Sequence, residues 1–313
     1  MEQIAPIAWV ESPLQLIGAA EWAAAAGLAV PVAGRLTPQM SETADELVAR
    51  GAWFGRLEPY LGIPWRLLAQ HGHWLVGDGF SGQFRLAATV LRPRTVTFLD
   101  DGANTLALGD ALLGRRAFAR PDVAEKGLTT TFAPFAMETV LRRARGGRVE
   151  FFTAFDLGTE RRVALRDRGF SLRQHEFAWT RASARPATNL GDRVVLGSAR
   201  PVDGRMTLDA YLEWLSAVAR DRVVSYLPHR RETDAQLAAV AAVPRVEVVP
   251  SHLPVELVLA GAQGPLDVVT LPSSTTTTLS LVLGAGATVN GRAVRATAAR
   301  IRSAEASERR AQA

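Results

Sequence analysis

The sequence predicts an α/β protein of two doubly wound domains, each a parallel sheet with helices on its faces. Short β-rich runs alternate with helical stretches through both halves of the chain, and the unusual polar clusters fall just after β-rich runs. The length agrees, because 313 residues exceed what one hydrophobic core usually holds.

In the first half, Ile4 to Val10 reads as a buried strand ended by Glu11. Ser12-Pro13-Leu14-Gln15 then has the form of a helix start: an N-cap Ser, a Pro at the first helical position and a Gln three residues after the cap. The helix runs to Gly27, placed as its C′ residue, and Leu28 to Val32 follows as a strand. Ser41 to Arg50 reads as a helix stopped by Gly51. His73 to Val76 is strand-like and opens into Gly77-Asp78-Gly79. A helix over Ser81 to Leu91 precedes the β-rich run Thr95 to Leu99, which stops at Asp100-Asp101-Gly102. Residues 109–148 hold helical pieces with few clean caps, and Val149 to Phe155 reads as a strand.

A shift to Ala, Pro, Asn, Ser and Gly between Arg181 and Asp192 marks the domain boundary. The alternation restarts with strand Arg193 to Leu196, the loop from Gly197-Ser198, a helix near Thr207 to Arg220 and strand Arg222 to Tyr226. After Pro228-His229-Arg230, Thr233-x-x-Gln236 caps another helix, and Val246 to Val249, Val255 to Leu259 and Asp267 to Leu271 continue the pattern. The expected organisation is an acceptor-side domain over residues 1–185, a nucleotide-binding domain over 190–291 and a fraying surface helix over 292–313.

Composition narrows the function. Hydrophobic residues make up 48% of the chain and charged residues 21%, a globular balance. The absence of cysteine excludes disulfides, thiolate metal sites and cysteine nucleophiles, and it fits a reducing compartment. No basic n-region precedes the first apolar run. The apolar stretch Leu14 to Val32 is broken by Gln15, Gly18, Glu21 and Gly27, too often for a membrane span. The expected location is cytoplasmic, compatible with peripheral contact at the inner membrane face. The net charge is +5, from 36 Lys and Arg against 31 Asp and Glu, with arginine nearly throughout. Arginine suits bidentate contacts with phosphate and carboxylate. No dense basic run with interleaved aromatics occurs, so nucleic acid is not expected as a partner. An acidic substrate or an anionic membrane surface accounts for the charge.

Each cluster admits a chemical and a structural reading. Asp100 or Asp101 can act as general base toward an acceptor hydroxyl, with Gly102 turning the backbone; equally, the triplet makes a turn and caps the following helix. His229, near a helix start with Arg230 and Arg231 beside it, can donate to a phosphate or lie on an exposed basic loop. Ser273, Ser274 and the four threonines after them offer hydroxyl and backbone donors to an anion, or simply an N-cap. Gly197-Ser198 opens the second domain's first loop, where a nucleotide phosphate often lies, without a full glycine-rich fingerprint. Glu256 can accept from ribose hydroxyls or complement a helix dipole. His71 and His73 lack acidic or cysteine partners nearby, and no D-x-D pair occurs, so neither a metal nor another cofactor is expected. His175 and His252 read as ordinary surface or interface residues. Ser12 and Ser198 lack the context of a nucleophile elbow.

In order along the chain, Glu11-Ser12-Pro13-Leu14-Gln15, Gly77-Asp78-Gly79-Phe80-Ser81-Gly82-Gln83, Asp100-Asp101-Gly102, His229, Pro254-Val255-Glu256 and Ser273-Ser274 resemble the motif set of bacterial sialyltransferase and polysialyltransferase-like glycosyltransferases. The resemblance covers residues 4–285. It implies two Rossmann-like domains facing across a cleft, the GT-B architecture, and inverting, metal-independent transfer from a CMP-sugar to a glycan or glycolipid acceptor in cell-surface or capsule glycan synthesis. Asp100 would be the catalytic base, with Asp101 as second choice. Glu11, Ser12, Gln15, Asp78, Ser81 and Gly102 would line the acceptor side. His229 would bind the CMP phosphate and assist its departure with Ser273 and Ser274. Gly197, Ser198, Arg230 and Glu256 would complete the nucleotide site. His229 is followed by Arg230 where the family has Pro. The reading requires an accessible Asp-Asp-Gly corner. Two alternatives stay open: an epimerase or transferase of the same fold using UDP- or GDP-sugars, and a non-catalytic nucleotide-binding scaffold.

Overall fold

A computed structural model describes residues 5–121, 123–186, 190–262 and 264–294. The chain divides into two compact units between Trp179 and Thr180, just before the compositional shift at Arg181 to Asp192. The expected C-terminal helix lies, from residue 295 onward, outside the described residues.

Unit 1 runs β1 (Pro6–Val10), α1 (Pro13–Ala26), β2 (Val30–Arg35), α2 (Pro38–Ala49), β3 (Phe54–Tyr60), α3 (Trp65–Gln70), β4 (His73–Val76), α4 (Gly82–Leu91), β5 (Thr95–Phe98), α5 (Asn104–Leu112), α6 (Leu128–Arg145), β6 (Val149–Thr153), α7 (Thr159–Asp167) and β7 (Phe170–Gln174), with α8 (Ala178–Ala182) at the division. Its strands form one seven-stranded sheet in the order β3-β2-β1-β4-β5-β6-β7, parallel throughout. The chain builds outward from β1 in one direction, then crosses back to add β4 on its other side. That reversal opens a crevice at the carboxyl ends of β1 and β4, where such sheets bind ligands.

Helices on both faces bury the inner strands, which explains their near-continuous apolar sequences. Every residue of β1 is buried. One face packs Phe84, Phe98, Phe151 and Phe170 in successive ring contacts of 5.5–5.8 Å. Around Trp9, the Trp74 and Tyr60 rings make edge contacts at 6.1 and 6.3 Å. The two strands that sequence reading misses, β3 and β7, are the edges of this sheet. Edge strands tolerate the Gly55, Arg56 and Pro59 of β3 and the half-exposed polar residues of β7, so neither carries an apolar signal.

Unit 2 runs β8 (Arg193–Leu196), α9 (Leu208–Val218), β9 (Val224–Leu227), α10 (Asp234–Ala241), β10 (Val246–Val248), α11 (Val255–Leu259), β11 (Asp267–Val269), α12 (Thr275–Val282), β12 (Thr288–Val289) and β13 (Arg292–Ala293). The sheet order is β10-β9-β8-β11-β12-β13, parallel except for the final pair. Its reversal falls between β8 and β11.

The helix starts show which sequence signals act as expected. Thr207 and Thr233 accept from Ala210 and Gln236 backbone N–H groups, as N-caps do. Gly27 ends α1 in the left-handed region. Ser12 makes no side-chain cap; Gln15, expected to reach back as in a capping box, is used elsewhere. Among the described residues no helix is long and apolar enough to cross a membrane.

Gly169 shows how tightly unit 1 is turned. Its φ is +87°, and a Cβ there would collide with the Ala144 carbonyl. Gly169→Ala is expected to cost about 2 kcal/mol or more, lowering the melting temperature by roughly 4–8 °C in a calorimetric scan.

Candidate functional site

In unit 1 three loops meet at the crevice: Glu11 to Gln15 after β1, Gly77 to Ser81 after β4 and Asp100 to Gly102 after β5. Gln15 joins them. Its Oε1 accepts from the Glu11 N–H at 2.7 Å, and its Nε2 donates to Asp101 Oδ1 at 2.8 Å. The amide passes over Gly77, where a Cβ would collide with it. Only glycine at 77 lets Gln15 cross.

Three carboxylates gather on this corner. Glu11 pairs with Arg35 at 3.2 Å. Asp78 accepts from the Phe80 N–H at 2.8 Å and binds the Arg120 guanidinium closely. Asp101 accepts from Asn104 Nδ2 at 2.9 Å and lies 3.6 Å from Arg120. Burial, then the negative charge of Asp101, pushes the Asp78 carboxyl up to about 6, with Arg120 opposing the shift. Gly102 has φ +61° and turns the chain into α5; Ser12 is half-buried and Ser81 buried beside Asp78.

Asp100, the first choice for the base, is enclosed at 2% exposure. It accepts from the Thr153 hydroxyl, the Ala154 N–H at 2.6 Å, the Thr105 hydroxyl at 3.2 Å and His175 Nε2 at 3.1 Å. A carboxylate so occupied and so deep does not meet a substrate hydroxyl; it anchors the corner. Asp101 is the exposed member of the pair, its side chain 21% accessible. His175, read from the sequence as a surface or interface residue, is buried instead, stacked on Phe152 at 4.7 Å. It follows β7, the strand whose sequence gave no signal.

Arg120 also escapes sequence reading, because it lies in the uncapped stretch after α5. The loop bearing it is fixed from below. The Arg120 N–H donates to Glu125 at 2.9 Å, and Glu125 pairs with the fully buried Arg85 at 2.6 Å. Arg85 stacks 4.8 Å over Phe118, which meets Phe80 at 5.7 Å. Arg85 and Glu125 thus fix the backbone that presents Arg120.

In unit 2 the loops after β8, β9 and β11 are tied together. Glu232 accepts from the His229 N–H at 2.7 Å, the Ser198 N–H at 3.4 Å, Gln236 Nε2 at 2.7 Å and the Tyr226 hydroxyl. Burial raises its carboxyl above the usual range. Gly197 lies against this knot: a Cβ there would meet Glu232 and the His229 nitrogen at 2.5 Å. Arg200 donates to the Pro272 carbonyl at 3.0 Å, joining the first loop to the Ser273-Ser274 loop. Ser273 is exposed, and Ser274 occupies the N-cap position of α12 without a side-chain cap bond. Burial, then Arg231 and Arg230, lowers His229 to about 4. Arg231 is engaged by Asp203 at 2.8 Å through both terminal nitrogens, while Arg230 is exposed. Glu256 is buried, with its carboxyl raised by that burial, and accepts from the Thr278 hydroxyl at 2.7 Å. Its bond is made inside the fold, so the ribose contact expected of it has no exposed carboxylate. Among the described residues no cluster of His, Asp and Glu could hold a metal ion.

The raised Asp78 carboxyl has a measurable consequence. The folded chain holds that proton more tightly than the unfolded chain, so its stabilising contribution is full below the ordinary value of 3.8 and lost as pH rises through about 6. Relative to wild type, Asp78→Asn should gain about 1–3 kcal/mol of stability between pH 4 and pH 7, measured by denaturant titration at each pH.

No family model matches the chain, and no curated protein matches it. Solved structures do. A putative UDP-N-acetylglucosamine 2-epimerase from Listeria monocytogenes aligns with a TM-score of 0.55 and 11% identity, over 88% of this chain and 76% of that one. A UDP-glucose: anthocyanidin 3-O-glucosyltransferase in complex with UDP aligns at 0.48 and 12% identity, over 90% and 80%. The E. coli heptosyltransferase WaaC with ADP aligns at 0.42 and 11%, over 91% and 86%. At such identities the likeness to the epimerase shows the fold alone: parallel α/β units of the GT-B kind.

Proposed function

We propose that the chain is an inverting glycosyltransferase that moves a sialic acid or related nonulosonate from a CMP-linked donor to a glycan hydroxyl, with Asp101 as the base. One observation carries the reading. Residues of the family motif set occupy the carboxyl ends of strands at both sheet reversals, and the partly exposed carboxylate of Asp101, just after β5, is tied to the first of them through Gln15.

Unit 1 suits a polyhydroxylated acceptor. Sugar hydroxyls donate, and Glu11 and Asp101 accept; the buried Asp78 holds Arg120, and Arg35 and Arg120 keep three carboxylates tolerable in one corner. In the transfer, Asp101 takes the acceptor O–H proton as that oxygen bonds to the anomeric carbon, and the bond to the CMP phosphate breaks. The leaving phosphate carries the electron pair. Its donors are the His229 imidazole in the loop after β9, together with Ser273 and Ser274 at the start of α12. Attack opposite the leaving group inverts the anomeric centre. The chemistry assigned to these residues calls on no cofactor, and the CMP-sugar enters as substrate.

Asp101→Asn should lower turnover about 10²–10⁴-fold with CMP binding and melting temperature nearly unchanged. Asp100→Asn should instead lower the melting temperature, because it disturbs a buried four-partner anchor. Full activity in Asp101→Asn, measured as CMP release from CMP-sialic acid with a mixed acceptor panel and EDTA present, would sink the assignment.

His229 supplies a second test. Near 4 it is neutral at pH 7 when the site is empty, and a bound phosphate favours its charged form. CMP affinity should rise about tenfold more between pH 7 and pH 5 in wild type than in His229→Asn, by calorimetry. Equal pH dependence in the two would remove His229 from the phosphate site.

A second reading, an enzyme acting on a UDP-sugar, is favoured by the likeness to the epimerase structure. A thermal-shift panel of CMP, UDP and GDP separates the two, since a ligand at a hundred times its Kd stabilises by about 2.7 kcal/mol.

A further inference from the structure

Next to the carboxylate corner of unit 1, between the ends of β2 and β3 and the side of α2, lies a cavity of about 200 Å³. Its inner wall is apolar: Leu16, Val32 and Met40 belong to the buried core yet face this space. Leu36 and Leu57 stand at its mouth, 49% and 36% exposed. Arg35 lines the cavity and also makes the 3.2 Å pair with Glu11. From Glu11 the contacts run directly to Gln15 and on to Asp101. The cavity and the candidate acceptor site therefore share a wall.

Size and chemistry limit the occupant. An apolar cavity of about 150 Å³ is enough to take up benzene, so 200 Å³ accepts an aryl ring or an alkyl chain of about six carbons. A free sugar ring would leave most of its hydroxyls facing leucine, valine and methionine without partners. Arg35, Ser41, Asp45 and Glu58 are its polar lining.

We infer that this cavity is a subsite for the apolar group attached to the acceptor sugar, an alkyl or aryl aglycone, so that the enzyme prefers amphipathic glycosides to free glycans. The inference rests on the glycosyltransferase reading for its name, but the binding it claims does not require transfer to occur. Burying each further methylene in such a space tightens binding up to about fourfold, until the chain outgrows the cavity.

The test uses the full chain without donor and the methyl, butyl and hexyl β-glycosides of glucose and galactose, with binding measured by calorimetry and ligand-observed NMR. Wild type should bind the hexyl glycosides at least thirtyfold more tightly than the methyl ones. Ala44→Phe places a ring in the cavity from α2, and Leu57→Ser removes the apolar mouth. Each should abolish most of the chain-length gain while keeping the wild-type melting temperature and its shift with CMP. Two variants from different elements guard against one of them misfolding. Absence of a chain-length gain in wild type overturns the proposal, as does a gain that survives in both variants. Self-association that Leu57→Ser disperses, with no alkyl preference, also overturns it and makes the mouth a contact between copies of this chain. Transfer to methyl and hexyl glycosides at equal KM would sink the subsite and leave the transferase reading standing. Alkyl-dependent binding with no transfer from any sugar nucleotide would do the reverse.

Discussion

The arrangement of unit 1 turns on the buried Asp100 carboxylate. Four donors converge on it from three places: the start of α5, the end of β6 and the loop after β7. Taking a carboxylate out of water costs several kcal/mol unless its lone pairs are satisfied, and here they are. The neighbour, Asp101, is thereby turned outward with its backbone N–H bonded to Thr105 at 3.2 Å. Two adjacent aspartates thus have opposite tasks. One is held by the fold and the other is left partly exposed, which strand-end geometry alone could not apportion.

Much of this was legible in the sequence because it rests on local signals. Strands His73–Val76 and Arg193–Leu196 are central and buried on both faces, and their apolar runs mark both ends correctly. Thr207, Thr233 and Gly27 mark helix ends through bonds to residues a turn away. What failed depends on distant residues. Whether Asp100 or Asp101 is exposed is decided by Thr153, Ala154 and His175, and nothing near residue 100 in the chain records it. Arg120 joins the corner because Glu125 meets Arg85 forty residues upstream. Gln15 reads as half of a capping box; its Oε1 does reach back, but to the Glu11 N–H, and its Nε2 is spent on the distant Asp101.

Unit 2 shows the same economy with the opposite sign. The backbone N–H groups of Ser198 and His229 lie in loops that the sequence reading gives to the nucleotide, and Glu232 already holds both. Glu232 thus orders two loops from within, while the His229 imidazole and the Ser273 and Ser274 side chains lie outside its hydrogen bonds. Side chains can be repositioned or replaced one at a time.

The crossing of Gln15 over Gly77 has an evolutionary corollary. Because the amide occupies the space a Cβ would need, positions 15 and 77 cannot vary independently. A side chain at 77 demands both the loss of the amide at 15 and a shift of that residue's Cβ, which would lie at 2.9 Å, and these changes would cut the tether between the first loop and Asp101. Homologues that keep the tether must keep both residues, whereas any lineage that has lost one is free to lose the other. Covariation of this single pair is therefore a signature by which retention of the whole corner could be followed across distant sequences.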